Sequence, residues 1–300
     1  MTLKPPQTWQ ILVILTIAIL AVSTSAIWIR LAMVEANIRG VGFSLTVAAA
    51  RLTLAALILV PIRGSKVSQA PAIAIGYAVA AGLFLALHFG TWITSLSYTS
   101  IVASTALVTT NPLWVALLEW LWFGRKPTRR ITLGITIALC GGFLISSGGA
   151  ENTTVGTQPW LGNLLAIIGS WAVSFYLLLG REAQKRGLSL GGYSTIAYTV
   201  AALVLLPLPL VFGMSYTGYS HRVYAYLLLM ALLPQLVGHA GINWAMRWVS
   251  PTLVTLAVLF EPAIASGLGY WIFGEVPTFG VFIGAAVLLV GVAIAALDSR

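Results

Sequence analysis

Long apolar runs alternate with short polar stretches along most of this chain. A helix needs about 20 mostly apolar residues to cross a hydrocarbon core about 30 Å thick. Ten runs meet this requirement, and their connections are rich in Gly, Pro and charged residues, as is typical of loops. The predicted helices cover residues 9–33, 41–62, 71–94, 100–123, 131–148, 160–180, 192–213, 223–246, 251–273 and 278–297.

The composition supports the same class of protein. Of the 300 residues, 59% are hydrophobic and only 8% are charged, whereas a soluble domain carries about 25% charged residues. So few charges cannot cover a surface that faces water, and we therefore predict an all-α integral membrane protein. The net charge of +9 arises from basic residues in short loops, which indicates membrane topology and argues against nucleic-acid binding.

Two segments that lie 150 residues apart repeat one another. Each repeat contains five predicted helices, and since five is odd, the second repeat must begin on the opposite side of the membrane. Inverted repeats of this kind are the plan of many secondary transporters. We predict a first repeat at 9–148, a linker at 149–159 and a second repeat at 160–297. The matched positions are Thr105 and Thr255, Pro112 and Pro262, Leu118 and Leu268, Phe123-Gly124 and Phe273-Gly274, Pro127-Thr128 and Pro277-Thr278, Gly134 and Gly284, and Gly141 and Gly291.

The charges of equivalent loops agree with an inverted arrangement. The loop at 124–130 holds four basic residues, whereas its counterpart at 274–277 holds no basic residue and one acid. With the N-terminus in the cytoplasm, twelve Lys and Arg residues fall on cytoplasmic segments and three on outer segments. Because cytoplasmic loops carry the excess of Lys and Arg, we expect a multi-pass protein of the cell (inner or plasma) membrane with both termini cytoplasmic.

Five sequence features, taken together, are shared with one known family. They are Ser95-Leu96-Ser97-Tyr98-Thr99-Ser100, the prolines of the fourth and ninth helices, the F-G-x-x-P-T loop, Arg51 in Ala50-Arg51-Leu52, and Trp171-Ala172. The chain resembles the EamA-type ten-helix permeases of the drug/metabolite transporter superfamily. It departs from them where Val22-Ser23-Thr24-Ser25 replaces a W-G-S motif, and where Arg125 replaces a common glutamate. The resemblance implies two five-helix bundles around a central cavity, alternating access, and often export of amino acids or related metabolites.

Glu261 is the leading candidate for a functional residue. It lies ten residues past Pro251, or about 15 Å along a helix, and therefore near the middle of the membrane. Pro262 removes a backbone donor, and the freed carbonyl is tolerated where the backbone lines a cavity. An ionisable group at this depth usually has a function. We predict that Glu261 binds a substrate amine or couples transport to protons; a structural pair with Arg51 or a buried histidine is the alternative.

Other polar residues within the predicted spans complete the candidate site. Asn111 precedes Pro112 at the equivalent point of the fourth helix, so the two breaks should face each other. Arg51 could hold a substrate carboxylate, although we favour a structural role. His88 and His239 could relay protons, and an interhelical hydrogen bond is the favoured alternative for each. The remaining predicted binding residues are Asn243 and three deep aromatic residues that could enclose an apolar or cationic solute, Trp92, Trp114 and Trp171.

Three further features limit the chemistry. The single cysteine, Cys140, excludes an intramolecular disulfide, and we expect it to be a small buried side chain. The chain has no P-loop motif and no cluster of metal-ligating residues, so we expect no cofactor and no metal. Glu119 lies close in sequence to Arg125 and Arg129, which predicts an interfacial ion pair.

We predict a secondary transporter of small organic metabolites such as amino acids, acting as an exporter and not as an enzyme. Its partners would be the solute and the lipid bilayer, with no nucleic acid, and a homodimer is left open. Two alternatives also stay open. One is a multidrug efflux permease for lipophilic cations, and the other is an intramembrane serine hydrolase that uses Ser194 with His239.

Overall fold

The computed structural model describes residues 5–63, 70–148, 150–151 and 158–296, and almost all of them are helical. Two short strands, β1 (Ala150–Glu151) and β2 (Val276–Pro277), pair in antiparallel fashion. Of the predicted linker, residues 149 and 152–157 lie outside the described part. The helices are α1 (Thr8–Ser23), α2 (Ser25–Ala36), α3 (Val41–Arg63), α4 (Ala72–Ser95), α5 (Ile101–Val108), α6 (Asn111–Phe123), α7 (Arg129–Gly148), α8 (Pro159–Lys185), α9 (Leu190–Leu205), α10 (Leu208–Val211), α11 (His221–Met230), a π-helix (Ala231–His239), α12 (Ala240–Trp248), α13 (Pro251–Val258), α14 (Glu261–Phe273) and α15 (Phe279–Ala296).

Within the described residues, eight helical stretches are long and apolar enough to cross a membrane. The predicted all-helical membrane protein is therefore confirmed. The other two predicted spans correspond to α7 and α15, which are helical but do not belong to the eight. The eight stretches are Thr8–Ala36, Val41–Ile62, Ala72–Ser95, Ile101–Trp122, Pro159–Lys185, Leu190–Val211, His221–Trp248 and Pro251–Phe273.

Two of these spans are broken near their middles. In the first, α5 ends at Val108 and α6 begins at Asn111, which is followed by proline. In the second, α13 ends at Val258 and α14 begins at Glu261, again followed by proline. Proline is favoured in the first turn of a helix because its missing N–H would have no partner there. The breaks therefore place Asn111 and Glu261 at helix N-termini inside the bundle.

A π-helix interrupts the span His221–Trp248 between Ala231 and His239. Such segments are rare, and they frequently occur at functional sites. This one contains Pro234, which cannot donate a backbone hydrogen bond. Both Gln235 and His239 are buried, so the wider turn directs two polar side chains toward the interior of the bundle.

α7 and α15 pack more extensively against each other than any other pair of helices in the described chain. Their closest contacts are at glycines. A Cβ atom added at Gly141 would lie 2.6 Å from the carbonyl oxygen of Gly284, and one added at Gly291 would lie 2.6 Å from that of Gly134. Small residues allow helix backbones to approach in this way inside membranes. The contact is reciprocal, because each helix presents its glycine to the glycine of the other.

We expect Gly141→Ala to lower the melting temperature of the detergent-solubilised protein. The new methyl group would overlap the backbone of α15, and overpacking typically costs about 1–3 kcal/mol. Gly142→Ala is the matched control, because its Cβ would meet only the Ala106 carbonyl oxygen at 3.9 Å. Thermal unfolding of the two variants checks the prediction, and equal melting temperatures would contradict the close approach of the helices.

Cys140 is exposed on the surface of the bundle, so the expectation of a buried side chain was wrong. Successive residues of an α-helix are separated by about 100° around its axis. Since Gly141 faces α15, its neighbour Cys140 is turned away from that contact. The thiol therefore lies on the outer side of α7.

Candidate functional site

An internal cavity lies beside both helix breaks. Thr109 and Asn111 line it from the first break, and Val258 and Glu261 from the second. The cavity volume is about 40 Å³, which is enough for a few water molecules, so the helices must part to admit an organic solute. Helices from both halves of the chain complete its wall with Val22, Ser25, His88, Trp92, Val108, Val173, Leu177, His239 and Ile242.

The cavity wall includes five of the nine predicted site residues. They are His88, Trp92, Asn111, His239 and Glu261. Four separate helical segments carry them, namely α4, α6, the π-helix and α14. The fold therefore brings together polar residues that are up to 173 positions apart in the sequence.

Glu261 presents a carboxylate to this cavity. It is buried, and within the described part of the chain it forms no side-chain hydrogen bond and no ion pair. Its position in the first turn of α14 allows the positive end of the helix dipole to stabilise its negative charge. The charge of Arg51 is also close enough to act on it. The carboxylate therefore faces the cavity with its hydrogen-bonding capacity unused.

Arg51 is fully buried directly behind the cavity wall. Its Nη1 donates to Ser25 Oγ at 2.7 Å, and its Nε donates to Gln235 Oε1 at 2.9 Å. The guanidinium carbon lies 4.2 Å from the centroid of the Phe89 ring, within the range of a cation–π interaction. These contacts join α3 to α2, α4 and the π-helix. Arg51 therefore has partners other than Glu261, and one of them, Ser25, lines the cavity.

The two histidines have different surroundings. His88 Nδ1 lies 2.9 Å from the Gly169 carbonyl oxygen, so that nitrogen carries the proton and links α4 to α8. The His88 ring also stacks on Trp92, with centroids 5.7 Å apart. The His239 ring lies 6.1 Å from that of His88, and its Nδ1 has no hydrogen-bond partner among the described residues. The Nδ1 of His239 is thus a buried ring nitrogen that the described residues leave without a partner.

The structure does not bring Trp114, Trp171 or Asn243 into the cavity wall. Trp171 is 38% exposed and packs against Phe84 and Phe175 on the outside of the bundle. It lies two residues before the cavity residue Val173, which corresponds to a rotation of about 200° around a helix. Asn243 is fully buried, and its amide donates to Tyr176 Oη at 2.6 Å and to the His239 carbonyl oxygen at 2.8 Å.

Sequence reasoning missed two residues that support the site. Ser25 lines the cavity, and Gln235 holds Arg51. Gln235 is a buried amide inside an apolar run, the same signal that singled out Asn111. Ser25 gave no comparable signal, because serine is common at contacts between membrane helices.

The predicted ion pair at Glu119 is confirmed for Arg125, with Arg125 Nη1 3.8 Å from Glu119 Oε1. A second partner was not predicted. Arg181, at the end of α8, places its Nη1 3.5 Å from the same oxygen.

The eight spans and the cavity between the two helix breaks define a multi-pass helical membrane protein with an internal site. The family follows from comparison with known proteins. The family model described as "EamA-like transporter family" matches residues 7–147 and again residues 160–297. The chain belongs to this family of the drug/metabolite transporter superfamily, and the resemblance read from its motifs is confirmed.

Three relatives from different organisms have names that describe them as transporters. The chain is 26% identical to an "Uncharacterized transporter" of Archaeoglobus fulgidus over 85% of its own length and 87% of that protein. It is 26% identical to the "Uncharacterized transporter YyaM" of Bacillus subtilis, over 79% of this chain and 77% of that one. It is 27% identical to the "Uncharacterized inner membrane transporter YedA" of Escherichia coli K12, over 62% and 60%. The family and these names identify a membrane transporter rather than an enzyme.

A solved structure described as "Crystal structure of protein" has the same fold. It superposes with a TM-score of 0.69 at 17% sequence identity, over 98% of this chain and 99% of the other. This similarity concerns the fold alone.

Proposed function

We propose that this transporter carries small organic metabolites such as amino acids through the central cavity, by alternating access and in the direction of export. The observation that carries the proposal is the carboxylate of Glu261, which faces the cavity between two helix breaks without a hydrogen-bond partner in the described chain. A protonated amine fits such a group. Asn111 offers a neutral amide opposite, and Val173 and Leu177 supply apolar wall.

We also propose the inverted-repeat architecture, with repeats at 9–148 and 160–297 and both termini in the cytoplasm of a cell with an inner or plasma membrane. Two features support it. The helix breaks at Asn111 and Glu261 are 150 residues apart. The offset of 150 residues also exchanges the two glycine contacts of α7 and α15, because it relates Gly141 to Gly291 and Gly134 to Gly284. A twofold axis through the bundle accounts for both.

A permease for lipophilic cations is the second candidate. Glu261 is the acid in the cavity wall, and the Trp92 ring, which also lines the cavity, is a surface on which a cation can rest. The buried positive charge of Arg51 behind Ser25 opposes a cation without a carboxylate. The hydrolase alternative has no geometric support, since Ser194 does not belong to the cavity wall that holds His239.

We expect zwitterionic amino acids to raise the melting temperature of the purified protein more than quaternary amines of similar size. A ligand that binds only the folded state stabilises it by about 2.7 kcal/mol at 100 times its Kd. Thermal-shift measurements against a metabolite panel identify the ligand, and counterflow of that ligand in ATP-free proteoliposomes then tests transport. A ligand that binds but shows no counterflow would contradict the carrier function.

A further inference from the structure

Two clusters of charged residues lie outside the cavity wall, and each joins the N-terminal half of the chain to the C-terminal half. The Arg30 cluster consists of Arg30, Glu275 and the carbonyl groups of Leu96 and Thr99. The Arg181 cluster consists of Arg181, Glu119, Arg125 and Thr252. The cavity does not include any of these residues.

The Arg30 cluster is closed and almost dry. Arg30 Nη1 lies 3.5 Å from Glu275 Oε1, and the two side chains are only 3% and 6% exposed. Arg30 Nη2 donates to the carbonyl oxygens of Leu96 and Thr99, each at 3.2 Å. Burial raises the pKa of Glu275, while the charge of Arg30 acts in the opposite direction. One guanidinium thus ties the loop after α14 to the loop between α4 and α5.

The Arg181 cluster is more open to solvent. Glu119 Oε1 lies 3.5 Å from Arg181 Nη1 and 3.8 Å from Arg125 Nη1. Thr252 Oγ1 donates to Glu119 Oε2 at 2.9 Å. The Arg125 side chain is 61% exposed. One carboxylate thus ties the end of α6 to the end of α8 and to the start of α13.

The two broken spans have one cluster at each of their ends. In the first broken span, Thr99 just precedes α5 and Glu119 lies near the end of α6, 20 residues later. A helix of that length spans about 30 Å. Thr252 opens α13, and Glu275 follows α14. Since Thr99 is grouped with Glu275, and Glu119 with Thr252, the two spans run antiparallel. The cavity at the breaks therefore lies between the two clusters.

We propose that the Arg30 cluster and the Arg181 cluster are the two gates of the transport pathway, which open in turn to expose the cavity at opposite ends. This inference rests on the proposed alternating-access function. Each cluster links one end of the first broken span to one end of the second, so the spans cannot separate at that end without breaking it. A separated pair that stayed buried would cost several kcal/mol, so a gate opens only as water reaches its charges.

The two gates differ in hydration. The Arg30 cluster is almost fully buried, and it leaves Arg30 Nε and Glu275 Oε2 without hydrogen-bond partners among the described residues. Water already reaches the Arg125 side chain of the Arg181 gate, and exposed charges of this kind contribute little to stability.

Accessibility of a cysteine inside the cavity tests the gates directly. Val258→Cys in a Cys140→Ala background places one thiol in the wall. A membrane-impermeant thiol reagent is added to one side of oriented vesicles at a time. In separate reference variants, labelling of Val276→Cys or of Lys126→Cys shows which side of the membrane each loop faces. We expect Glu275→Gln to raise the labelling rate about tenfold, and only from the side of residue 276, because loss of a buried charge pair changes an equilibrium by at least that factor. Glu119→Gln should raise it only from the side of residue 126.

Two controls separate gating from general loosening. Glu35→Gln removes another ion pair between the halves, that of Glu35 with the exposed Arg222, and should leave labelling unchanged. Arg222→Gln removes the same exposed pair from its other side and should likewise leave labelling unchanged. If Glu275→Gln fails to fold, Arg30→Lys, which loses one of the two donor groups, is measured in its place.

The outcomes distinguish the gates from the proposed function. Increased labelling from the same side in both variants, or no increase in either, would overturn the gate assignment even if solute flux were normal. One-sided increases in a protein that shows no flux of any metabolite would instead support the gates and remove the carrier function.

Discussion

Glu261→Gln is expected to lower the initial rate of solute transport by about 10- to 100-fold, since a hydrogen bond to a charged group is worth about 1.5–3 kcal/mol. The amide keeps the shape of the side chain but removes the charge that a substrate amine would meet. Glu261 has no hydrogen-bond partner among the described residues, so its replacement breaks no existing hydrogen bond. Flux into proteoliposomes is the measurement, normalised to the amount of folded transporter.

The control for this experiment is Glu35→Gln, which removes a carboxylate at the membrane surface. Its transport rate should match that of the unaltered protein. Normal flux in Glu261→Gln would remove the carboxylate from the mechanism. A lowered rate accompanied by an equally lowered melting temperature would point to a structural role for Glu261.

Arg51→Met should produce the largest loss of stability of any single substitution considered. It would leave Ser25 and Gln235 without the donor that each now accepts from. An unsatisfied buried polar group costs about 1–3 kcal/mol, and the cation–π contact with Phe89 would also be lost. We expect the free energy of unfolding in detergent to fall by about 2–6 kcal/mol, the sum for two such groups.

A double variant separates hydrogen bonding from packing at this position. Arg51→Met combined with Gln235→Leu removes both members of the Arg51–Gln235 hydrogen bond, so it should recover part of the stability lost in the single variant, while Ser25 still lacks its donor. Arg39→Met, at an exposed position in the loop after α2, should have no effect. If the double variant is less stable than Arg51→Met, the contact between Arg51 and Gln235 is not what stabilises this region.

Hydrophobic patterning predicted the class of fold because a bilayer allows few alternatives. Backbone groups in lipid must be satisfied within their own segment, so a long apolar run is a helix. Finer features depended on single side chains. Thr24 Oγ1 donates a hydrogen bond to the Ala21 carbonyl oxygen, and the helix breaks there into α1 and α2. Hydrogen bonds of this kind from serine and threonine side chains often bend helices.

The end of α8 shows why boundaries were harder to predict. The sequence placed the end of this helix at 180, because Arg181, Lys185 and Arg186 indicated a loop. In the structure the helix continues to Lys185. Glu182 accepts hydrogen bonds from both Lys185 and Arg186, and contacts three and four residues apart stabilise a helical turn. Charge alone therefore did not mark the membrane surface.

The candidate site was predictable in its parts but not in its arrangement. Asn111 and Glu261 stood out because a polar residue before proline is unusual in an apolar run. Helical spacing could not show that Val173 faces the cavity while Trp171 faces outward, since this depends on the rotation of α8 against α4. Gln235 depends in addition on the π-helix, which no residue pattern indicated.

The π-helix makes the halves of this protein unequal. Its counterpart under the proposed twofold relation is α4, which is α-helical throughout Ala72–Ser95. If the halves were identical in conformation, exchanging their roles would give two states of the same energy. One irregular turn in a single half removes that degeneracy. Under the proposed alternating access, the two orientations of the empty pocket then differ in energy, and the unloaded carrier favours one compartment over the other.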